Sequence, residues 1–391
     1  ITADGNACTG TLTAYCEVVV APIANGGTAT PTDTVISAGD STNITLIGST
    51  STGTQNSSSP QTIQWQKNES GKWVDLPGDT INVCNTHGLA SSKSYRAYVT
   101  SGYDAGYGRV QCSSAYSSVA NVKVYSYFRS KQSGNWNNTA SWEMSADSIN
   151  WVNASYIPDF KCLSILVQSG HTITLTQSET VDQLIVNGTL TYGDYSGNTL
   201  TINNGIGIDL AVNGTFEDFG PNSIVWNTNV KWVMGANGTL VRSRSTSSDN
   251  WRDHYNGGIS NIPATANWIL RKTATDNPSL TSIGNMFYPN LTIENNTSGT
   301  WITDSISSFT GNSSSPSIKG NMNIGGNGSG DVSFLNVNTN STPVAVNGSL
   351  TIKSGSLLRS YGTGFEVKGN LVLNGTIDYG TGSATFVLSG N

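Results

Sequence analysis

The amino-acid sequence predicts an all-β protein with almost no helix. Gly and Pro interrupt the chain at short intervals, and the segments between them alternate apolar or β-branched residues with polar ones, as in Thr62–Trp65 and Val181–Val186. No stretch longer than about two helical turns carries the 3.6-residue apolar period of an amphipathic helix. The 391 residues include 43 Gly, and only 11% are charged, whereas soluble proteins average about 25%. This composition argues against a cytosolic helical enzyme.

The composition also excludes several other classes of protein. Apolar residues make up 36% of the chain, with 10 Trp, 15 Tyr and 9 Phe, which is enough to bury a core and argues against disorder. A net charge of −6 provides no basic field for phosphates, so we expect no nucleic-acid partner. No apolar run approaches the roughly 20 residues that span a bilayer, so we expect no membrane-spanning segment. The sequence predicts a secreted protein with a polar, uncharged surface and no cofactor.

Residues 25–126 are predicted to form an immunoglobulin-like sandwich. Trp65 lies in the middle of a strand, where such domains place their core Trp, and Tyr95 lies where a tyrosine corner would begin. Ala97 stands where the second Cys of the usual inter-sheet disulfide would be, so the core must be held by apolar packing around Trp65. The predicted strands are 34–38, 42–48, 61–67, 72–76, 81–84, 93–100 and 119–125.

Residues 1–24 are predicted to be the end of a preceding immunoglobulin-like repeat. Residues 7–20 align with residues 111–124 without a gap, which places Cys8 on Cys112 and Val18 on Val122. A second copy of the same strands at the start of the chain is typical of a repeat-built protein. We therefore expect further domains of the same parent chain at both ends.

Residues 181–391 are predicted to form a right-handed parallel β-helix. The recurring unit is an apolar residue, Asn-Gly or Lys-Gly, then Thr, Ser or Asn and a second apolar residue. Within each of two runs of three, its glycines recur at intervals of 21 to 28 residues, about the length of one coil of a β-helix, and successive ones should stack about 4.8 Å apart. Asn-Gly also favours hairpins, so a meander or a plain sandwich is the alternative. The glycines are Gly188, Gly214, Gly238, Gly320, Gly348 and Gly369.

Residues 127–180 join the two regions and are predicted to cap the β-helix, with their tryptophans closing its open end. The segment contains Gly134-Asn135-Trp136, Ser141-Trp142, Trp151, Pro158 and the stretch 167–175. It resembles the first part of the β-helical surface proteins that the Bacteroidota phylum secretes, and residues 61–78 and 94–102 resemble the immunoglobulin-like repeats of those proteins. The resemblance implies export across the outer membrane by the type IX system and an extracellular or cell-surface location. The C-terminal sorting domain of such proteins is not seen in this sequence.

Five cysteines fit an oxidising compartment, and the absence of C-x-x-C spacing argues against zinc and redox chemistry. The repeat alignment places Cys84 and Cys112 inside the same complete sandwich, so we predict a disulfide between them. Cys8 would pair either with a residue upstream of the chain or with Cys16. Cys162 is predicted to be a buried thiol.

Acidic residues are sparse in the β-helical region, although β-helices often carry polysaccharide lyases and hydrolases. A calcium-assisted lyase needs several carboxylates on one face of the coil beside a Lys or Arg base. Only Glu217 and Asp218 are adjacent, and neighbours in a strand point to opposite faces. We therefore predict no catalytic residue and no metal site.

One loop, residues 247–258, concentrates groups that could bind a glycan. An indole and a phenol stack on sugar rings, and carboxylate, guanidinium and imidazole groups bond to hydroxyls. The alternatives are that the loop folds back to pack on the solenoid, or that an Asp–His pair acts in hydrolysis. The candidate residues are Asp249, Trp251, Arg252, Asp253, His254 and Tyr255.

The leading functional hypothesis is a non-enzymatic segment of a large extracellular bacterial surface protein that acts in adhesion or surface assembly. Its expected partners are glycans or other cell-surface proteins. One alternative is a polysaccharide-binding or polysaccharide-processing β-helix that uses the 247–258 loop. Another is a structural subunit of an extracellular filament.

Overall fold

The computed structural model divides the chain into two compact units, residues 1–124 and residues 125–391. Helix is limited, in the described residues, to two short 3-10 turns, Thr139–Ser141 and Ile259–Asn261. No helix in that part of the chain has the length and apolarity needed to cross a bilayer. The structure describes residues 23–49, 62–104, 109–193, 197–218, 223–243, 251, 254–275, 278, 287–303, 318–336, 343–360, 364–380 and 385–390.

The first unit is an antiparallel sandwich of two sheets, as predicted. One sheet has the order β1-β3-β6, and the other has the order β2-β9-β7-β4-β5 with β8 also paired to β7. The pairs of β7 with β4, β8 and β9 are antiparallel. The strands are β1 (Thr28–Thr30), β2 (Asp33–Ser37), β3 (Asn43–Ile47), β4 (Thr62–Glu69), β5 (Lys72–Asp75), β6 (Val83–Asn85), β7 (Lys93–Asp104), β8 (Arg109–Tyr116) and β9 (Ala120–Tyr125).

The core of the sandwich forms around Trp65, which is fully buried together with Tyr95 and Ala97. Ile44 from the three-stranded sheet belongs to the same apolar cluster, so the core lies between the two sheets. The indole nitrogen of Trp65 donates a hydrogen bond to the carbonyl of Ile81 at 2.9 Å, which satisfies its one polar group. The prediction that Trp65 is the core residue is confirmed.

The predicted disulfide between Cys84 and Cys112 is not present in the structure, where Cys84 is a free and buried thiol. Burial raises the pKa of the Tyr95 phenol to about 12, and nearby Cys84 adds a smaller contribution, which places Cys84 close to Tyr95. Cys112 lies on β8, at the bulge opposite Ser101 of β7. Ser101 is six residues further along β7 than Tyr95, which corresponds to roughly 20 Å at about 3.4 Å per residue. A disulfide requires Cα atoms within about 7 Å, and Cys84 and Cys112 lie near opposite ends of β7. The pairing that the repeat alignment predicted is therefore wrong. The side chain of Cys112 lies outside the described residues.

In the residues that the structure describes, the second unit contains 27 further strands, most of them only three or four residues long. They are β10 (Tyr127–Ser130), β11 (Gly134–Asn135), β12 (Trp142–Ser145), β13 (Val152–Asn153), β14 (Ser164–Val167), β15 (Thr172–Leu175), β16 (Glu179–Val181), β17 (Leu184–Val186), β18 (Thr189–Tyr192), β19 (Thr199–Ile202), β20 (Leu210–Val212), β21 (Thr215–Asp218), β22 (Ser223–Trp226), β23 (Trp232–Met234), β24 (Thr239–Arg242), β25 (Asn267–Lys272), β26 (Asn290–Asn295), β27 (Thr300–Ile302), β28 (Met322–Gly325), β29 (Asp331–Asn336), β30 (Val344–Val346), β31 (Leu350–Ile352), β32 (Leu357–Ser360), β33 (Gly364–Val367), β34 (Leu371–Leu373), β35 (Thr376–Tyr379) and β36 (Thr385–Leu388).

Apart from β12 and β13, which pair antiparallel at one edge of a sheet, these strands form a parallel β-helix, in which successive coils add one strand to each of several sheets. The longest sheet has the order β11-β15-β18-β21-β24-β25-β26-β28-β31-β34, and a second has the order β13-β12-β10-β14-β17-β20-β23. Shorter sheets, β16-β19-β22, β27-β29-β32-β35 and β30-β33-β36, complete the coils. The strands on either side of Gly188 and of Gly348 all pair in parallel, so the meander alternative is wrong.

The Asn-Gly units form the corners at which one coil rests on the next. The Thr215 amide donates to the carbonyl of Gly188 at 2.8 Å, and the Thr239 amide donates to that of Gly214 at 2.7 Å. A Cβ on Gly214 would lie 2.2 Å from the Gly188 carbonyl oxygen, a distance no side chain tolerates. The preceding asparagines also stack, with Asn213 Nδ2 donating to Asn187 Oδ1 at 2.9 Å. Close approach of the backbone therefore explains the Gly at corners such as Gly214.

The tryptophans of residues 127–180 divide into buried and half-buried ones. Trp136 and Trp142 are fully buried in the solenoid core and meet edge to face at 4.9 Å. The Trp142 indole donates to the carbonyl of Trp136 at 2.8 Å. Trp151 is half-buried beneath the guanidinium of Arg129, 4.2 Å from its ring centroid. Cys162 is a buried thiol whose pKa burial raises to about 12.

Candidate binding face

The loop that the sequence marks as a glycan site places its two aromatic side chains in the solenoid core. Trp251 is only 2% exposed and Tyr255 only 7%. The Trp251 ring packs edge to face on Trp226 at 4.9 Å and on Trp232 at 4.8 Å, and its carbonyl accepts the Trp232 indole at 2.5 Å. A sugar can stack only on a ring face that solvent reaches, so Trp251 and Tyr255 do not provide a stacking platform. The expectation of a glycan site around these two rings is corrected to packing.

The reason is that part of this segment takes the place of a strand in the coil. Tyr255 forms a parallel bridge with Trp232 of β23, and the Trp232 amide donates to the carbonyl of His254 at 3.0 Å. The half-buried imidazole of His254 stacks on Trp226 at 5.2 Å. Asp249, Arg252 and Asp253, the remaining residues of the predicted site, lie outside the described residues.

A second group of aromatic residues lies on the outer face of the sandwich. Side chains alternate along a strand, so the burial of Tyr95 and Ala97 inside the sandwich places Arg96 outside it. The Arg96 guanidinium carbon lies 4.3 Å from the ring centroid of Trp73 and 3.7 Å from that of Tyr116. Tyr98 packs against Tyr116 at 5.1 Å. The result is a Trp–Arg–Tyr stack that spans β5, β7 and β8.

Hydrogen bonds fix the position of Arg96 within this stack. Arg96 Nε donates to Gln66 Oε1 at 2.9 Å, and Gln66 Nε2 donates to Asp75 Oδ1 at 2.8 Å. In the described part of the chain, Arg96 has no acidic partner, and its terminal nitrogens have no hydrogen-bond acceptor. Tyr116 is 51% exposed, while Trp73 is half-buried. We call Gln66, Trp73, Asp75, Arg96, Tyr98 and Tyr116 the Arg96 face.

A shallow polar cavity of about 330 Å³ continues the Arg96 face along the same side of the sheet. Ser94 lies two residues before Arg96 on β7, and Asn68 lies two residues after Gln66 on β4, so both point outward with them. Ser94 Oγ donates to Asn121 Oδ1 at 2.8 Å across the cavity wall. The lining residues are Asn68, Ser70, Ser92, Lys93, Ser94, Asn121, Val122 and Lys123.

The charges beside this cavity are mostly basic. Lys93 forms an ion pair with Glu69 at 2.8 Å, and hydrogen bonds from Lys93 and Lys67 lower the pKa of the Glu69 carboxyl to about 2. Lys123 lines the cavity without an acidic partner in the described part of the chain. No three His, Cys, Asp or Glu side chains within the described ranges lie close enough together to hold a metal ion. The groups that the Arg96 face and the cavity offer to a ligand are ring faces, amide and hydroxyl groups, and a guanidinium fork.

The Arg96 face was not predicted from the sequence, although strand alternation indicates that two of its residues, Gln66 and Arg96, point outward. The same alternation that places Trp65 and Tyr95 in the core places Gln66 and Arg96 outside. Trp73 and Tyr116 reach Arg96 only because β5 and β8 flank the β4–β7 pair, and this strand order does not follow from residue types.

Comparisons with known proteins give one match, which coincides with the sandwich. Residues 25–126 match the model of a family described as a domain of unknown function (DUF8696). The Arg96 face and the cavity beside it lie wholly within these residues. Neither a curated protein nor a solved structure matches the chain.

Proposed function

We propose that this chain is a non-catalytic segment of an extracellular bacterial surface protein, and that it acts in adhesion or surface assembly. The sandwich makes the contact through the Arg96 face, and the β-helix carries it. The observation on which this proposal rests is the open Trp73–Arg96–Tyr116 stack, because aromatic and Arg side chains dominate the energy of recognition surfaces when they are accessible.

The β-helix supports a scaffold role through the way its side chains are used. Its apolar side chains fill one continuous core that extends from Phe128 to Val367. Arg271 bonds the buried Glu294 at 2.6 Å and the partly exposed Glu217 at 3.4 Å, so one guanidinium links two carboxylates and offsets part of their charge. Stacked coils held by such pairs are rigid in the direction of stacking, which suits the display of an attached domain.

Export by the type IX system, a cell-surface or released location, and glycan or cell-surface protein partners are part of the same proposal. They are supported by the resemblance to Bacteroidota surface proteins and by a composition with few charges and many small polar residues.

The proposal is tested by the retention of beads coated with the full chain on a film of bacterial extracellular polysaccharide. The wild-type chain should be retained after washing, and Arg96→Ala should lower retention about tenfold, the effect of losing a recognition residue worth roughly 1.4 kcal/mol. Arg129→Ala is the matched control, because Arg129 also lies over a Trp ring but is bonded to Glu143 at 2.8 Å. Equal retention of the wild-type chain and Arg96→Ala would remove the Arg96 face from the proposal.

A further inference from the structure

We propose that the ligand of the Arg96 face is an acidic polysaccharide whose sugars carry carboxylates, a polyuronate. This inference rests on the proposed function and names the chemistry of the partner. Three features of the face support it: the orientation of the guanidinium, the accessible rings, and the charge of the adjoining cavity.

The guanidinium of Arg96 is held ready for a planar anion. Two rings flank it at 4.3 Å and 3.7 Å, and Gln66 occupies its Nε. The terminal nitrogens are left without a partner in the described residues and form the fork that matches a carboxylate through two parallel hydrogen bonds. Because the side chain is already ordered, little rotamer entropy is lost when a ligand binds.

Arg129 also lies over a Trp ring, but it differs from Arg96 because a carboxylate already binds its guanidinium. Its guanidinium carbon lies 4.2 Å from the Trp151 ring centroid, and its Nη2 forms an ion pair with Glu143 at 2.8 Å. The charge of Arg129 is therefore already neutralised, whereas Arg96 has no carboxylate partner among the residues that the structure describes.

The rings and polar groups around Arg96 suit the rest of a sugar unit. Tyr116 is 51% exposed, and such a ring offers a surface to the C–H face of a pyranose. Gln66, Asn68 and Ser94 place amide and hydroxyl groups on the same side of the sheet for sugar hydroxyls. A ring beside a few convergent polar groups is the arrangement that fixes a sugar's orientation.

The cavity beside the Arg96 face adds a second cation, Lys123. Lys93 and Lys123 line the cavity; Lys93 is already paired with Glu69, whereas Lys123 has no acidic partner in the described residues. The acidic groups nearby are also bonded, Asp75 to Gln66 and Asp33 to Asn121. Arg96 and Lys123 are therefore two cations on one side of the sheet without a carboxylate partner in the described residues, in a chain whose net charge is −6. Lys123 lies one residue beyond the Lys93–Val122 pair, roughly 14 Å from Arg96 at about 3.4 Å per residue, so a polymer with a carboxylate on each sugar could bond Arg96 with one unit and approach Lys123 with a unit further along its chain.

The experiment measures the affinity of the full chain for polygalacturonate by isothermal titration calorimetry, with fully methyl-esterified polygalacturonate and dextran sulfate as the comparison ligands. The acid form should bind at least about tenfold more tightly than the ester, because esterification removes the charge and one acceptor. Arg96→Gln should weaken binding of the acid form at least about tenfold. Arg129→Gln should leave it unchanged. Binding should also weaken as salt is added.

Several outcomes separate the ligand class from the face itself. Equal binding of acid and ester by the wild-type chain overturns the polyuronate assignment, and this arm does not depend on any variant folding. Binding of dextran sulfate as tight as that of polygalacturonate overturns the preference for carboxylate. If Arg96→Ala still lowers bead retention about tenfold while polygalacturonate does not bind, the proposed function stands and this inference fails. If Arg96→Ala has no effect in either assay, the Arg96 face is not the contact.

Discussion

The two units of the molecule each contain a cluster of aromatic rings beside charged residues, and only one of the clusters is open. In the β-helix, Trp226, Trp232 and Trp251 meet edge to face and are shielded by the coil. In the sandwich, Trp73 and Tyr116 flank Arg96 on the outer face of a sheet. The composition of the first cluster predicts a binding site, but its position in the coil makes it core. Strand parity and strand order, more than residue type, decide whether such a cluster can bind a ligand.

The largest expected effect is the loss of stability caused by Trp232→Ala in the buried cluster of the β-helix. Trp232 is fully buried and contacts Trp226, Trp251 and Tyr255. Its truncation should cost about 3–5 kcal/mol of unfolding free energy, the usual loss for a buried Trp. Denaturant unfolding followed by circular dichroism measures it. Ile302→Ala, at a residue 71% exposed, is the control and should change stability by less than about 0.5 kcal/mol. A loss as small as that at Trp232 would mean that the cluster is not packed.

A smaller effect should follow from Gly214→Ala, which tests how tightly the coils stack. The added methyl would lie 2.2 Å from the Gly188 carbonyl oxygen, so the coils must shift and stability should fall by about 1–3 kcal/mol. The neighbouring Asn213→Ala should lose only about 0.5–1.5 kcal/mol, the worth of one hydrogen bond. Equal thermal unfolding of Gly214→Ala and the wild-type chain would contradict the stacked corner.

Much of the fold is predictable from the sequence because its causes are local. Apolar alternation places strands at all seven segments predicted in the sandwich, and Asn-Gly recurrence predicts the coils, since both signals lie in neighbouring residues. The role of residues 254–255 is not predictable in this way, because Tyr255 replaces a strand through one bridge to Trp232. The Arg96 face likewise depends on β5 and β8 flanking β4 and β7, a contact between residues distant in sequence.

Two buried or partly buried carboxyl groups of the β-helix, Glu179 and Asp182, should respond to pH in the opposite direction to Glu69 of the sandwich. In the β-helix, burial and the neighbouring Asp209 raise the pKa of Asp182 to about 6, and burial raises that of Glu179 to about 7. Asp209 is itself fully buried and accepts amide hydrogen bonds from Gly205 at 2.7 Å and Lys231 at 2.6 Å. The folded chain therefore holds these protons more strongly than the unfolded chain, so stability falls as pH rises through these values.

The melting temperature of the β-helical unit should accordingly fall by a few degrees between about pH 5 and about pH 8. Asp182→Asn should flatten this dependence, because the amide cannot ionise. In the sandwich, the depressed pKa of Glu69 means that its ion pairs are lost only as pH falls toward about 2. Differential scanning calorimetry across pH measures the profile, and a melting temperature that rises between about pH 5 and about pH 8 would contradict it.

The smallest expected effect concerns the thiols. Cys84 is buried in the sandwich, and burial together with nearby Asp79 raises its pKa to about 12. It should therefore resist iodoacetamide in the folded chain and react fully after denaturation without any reductant. Peptide mass spectrometry measures the modification. Alkylation of Cys84 that requires prior reduction would show that it forms a disulfide after all.

The most direct test of the account compares Trp73→Ala and Trp251→Ala in the same two assays, bead retention and unfolding. Trp73→Ala should lower retention about tenfold and cost about 1 kcal/mol or less of unfolding free energy, the worth of an exposed cation–π contact. Trp251→Ala should cost about 3–5 kcal/mol and leave retention of the folded protein unchanged. Loss of retention in Trp251→Ala at unchanged stability, with full retention in Trp73→Ala, would place the binding site in the loop and contradict the account.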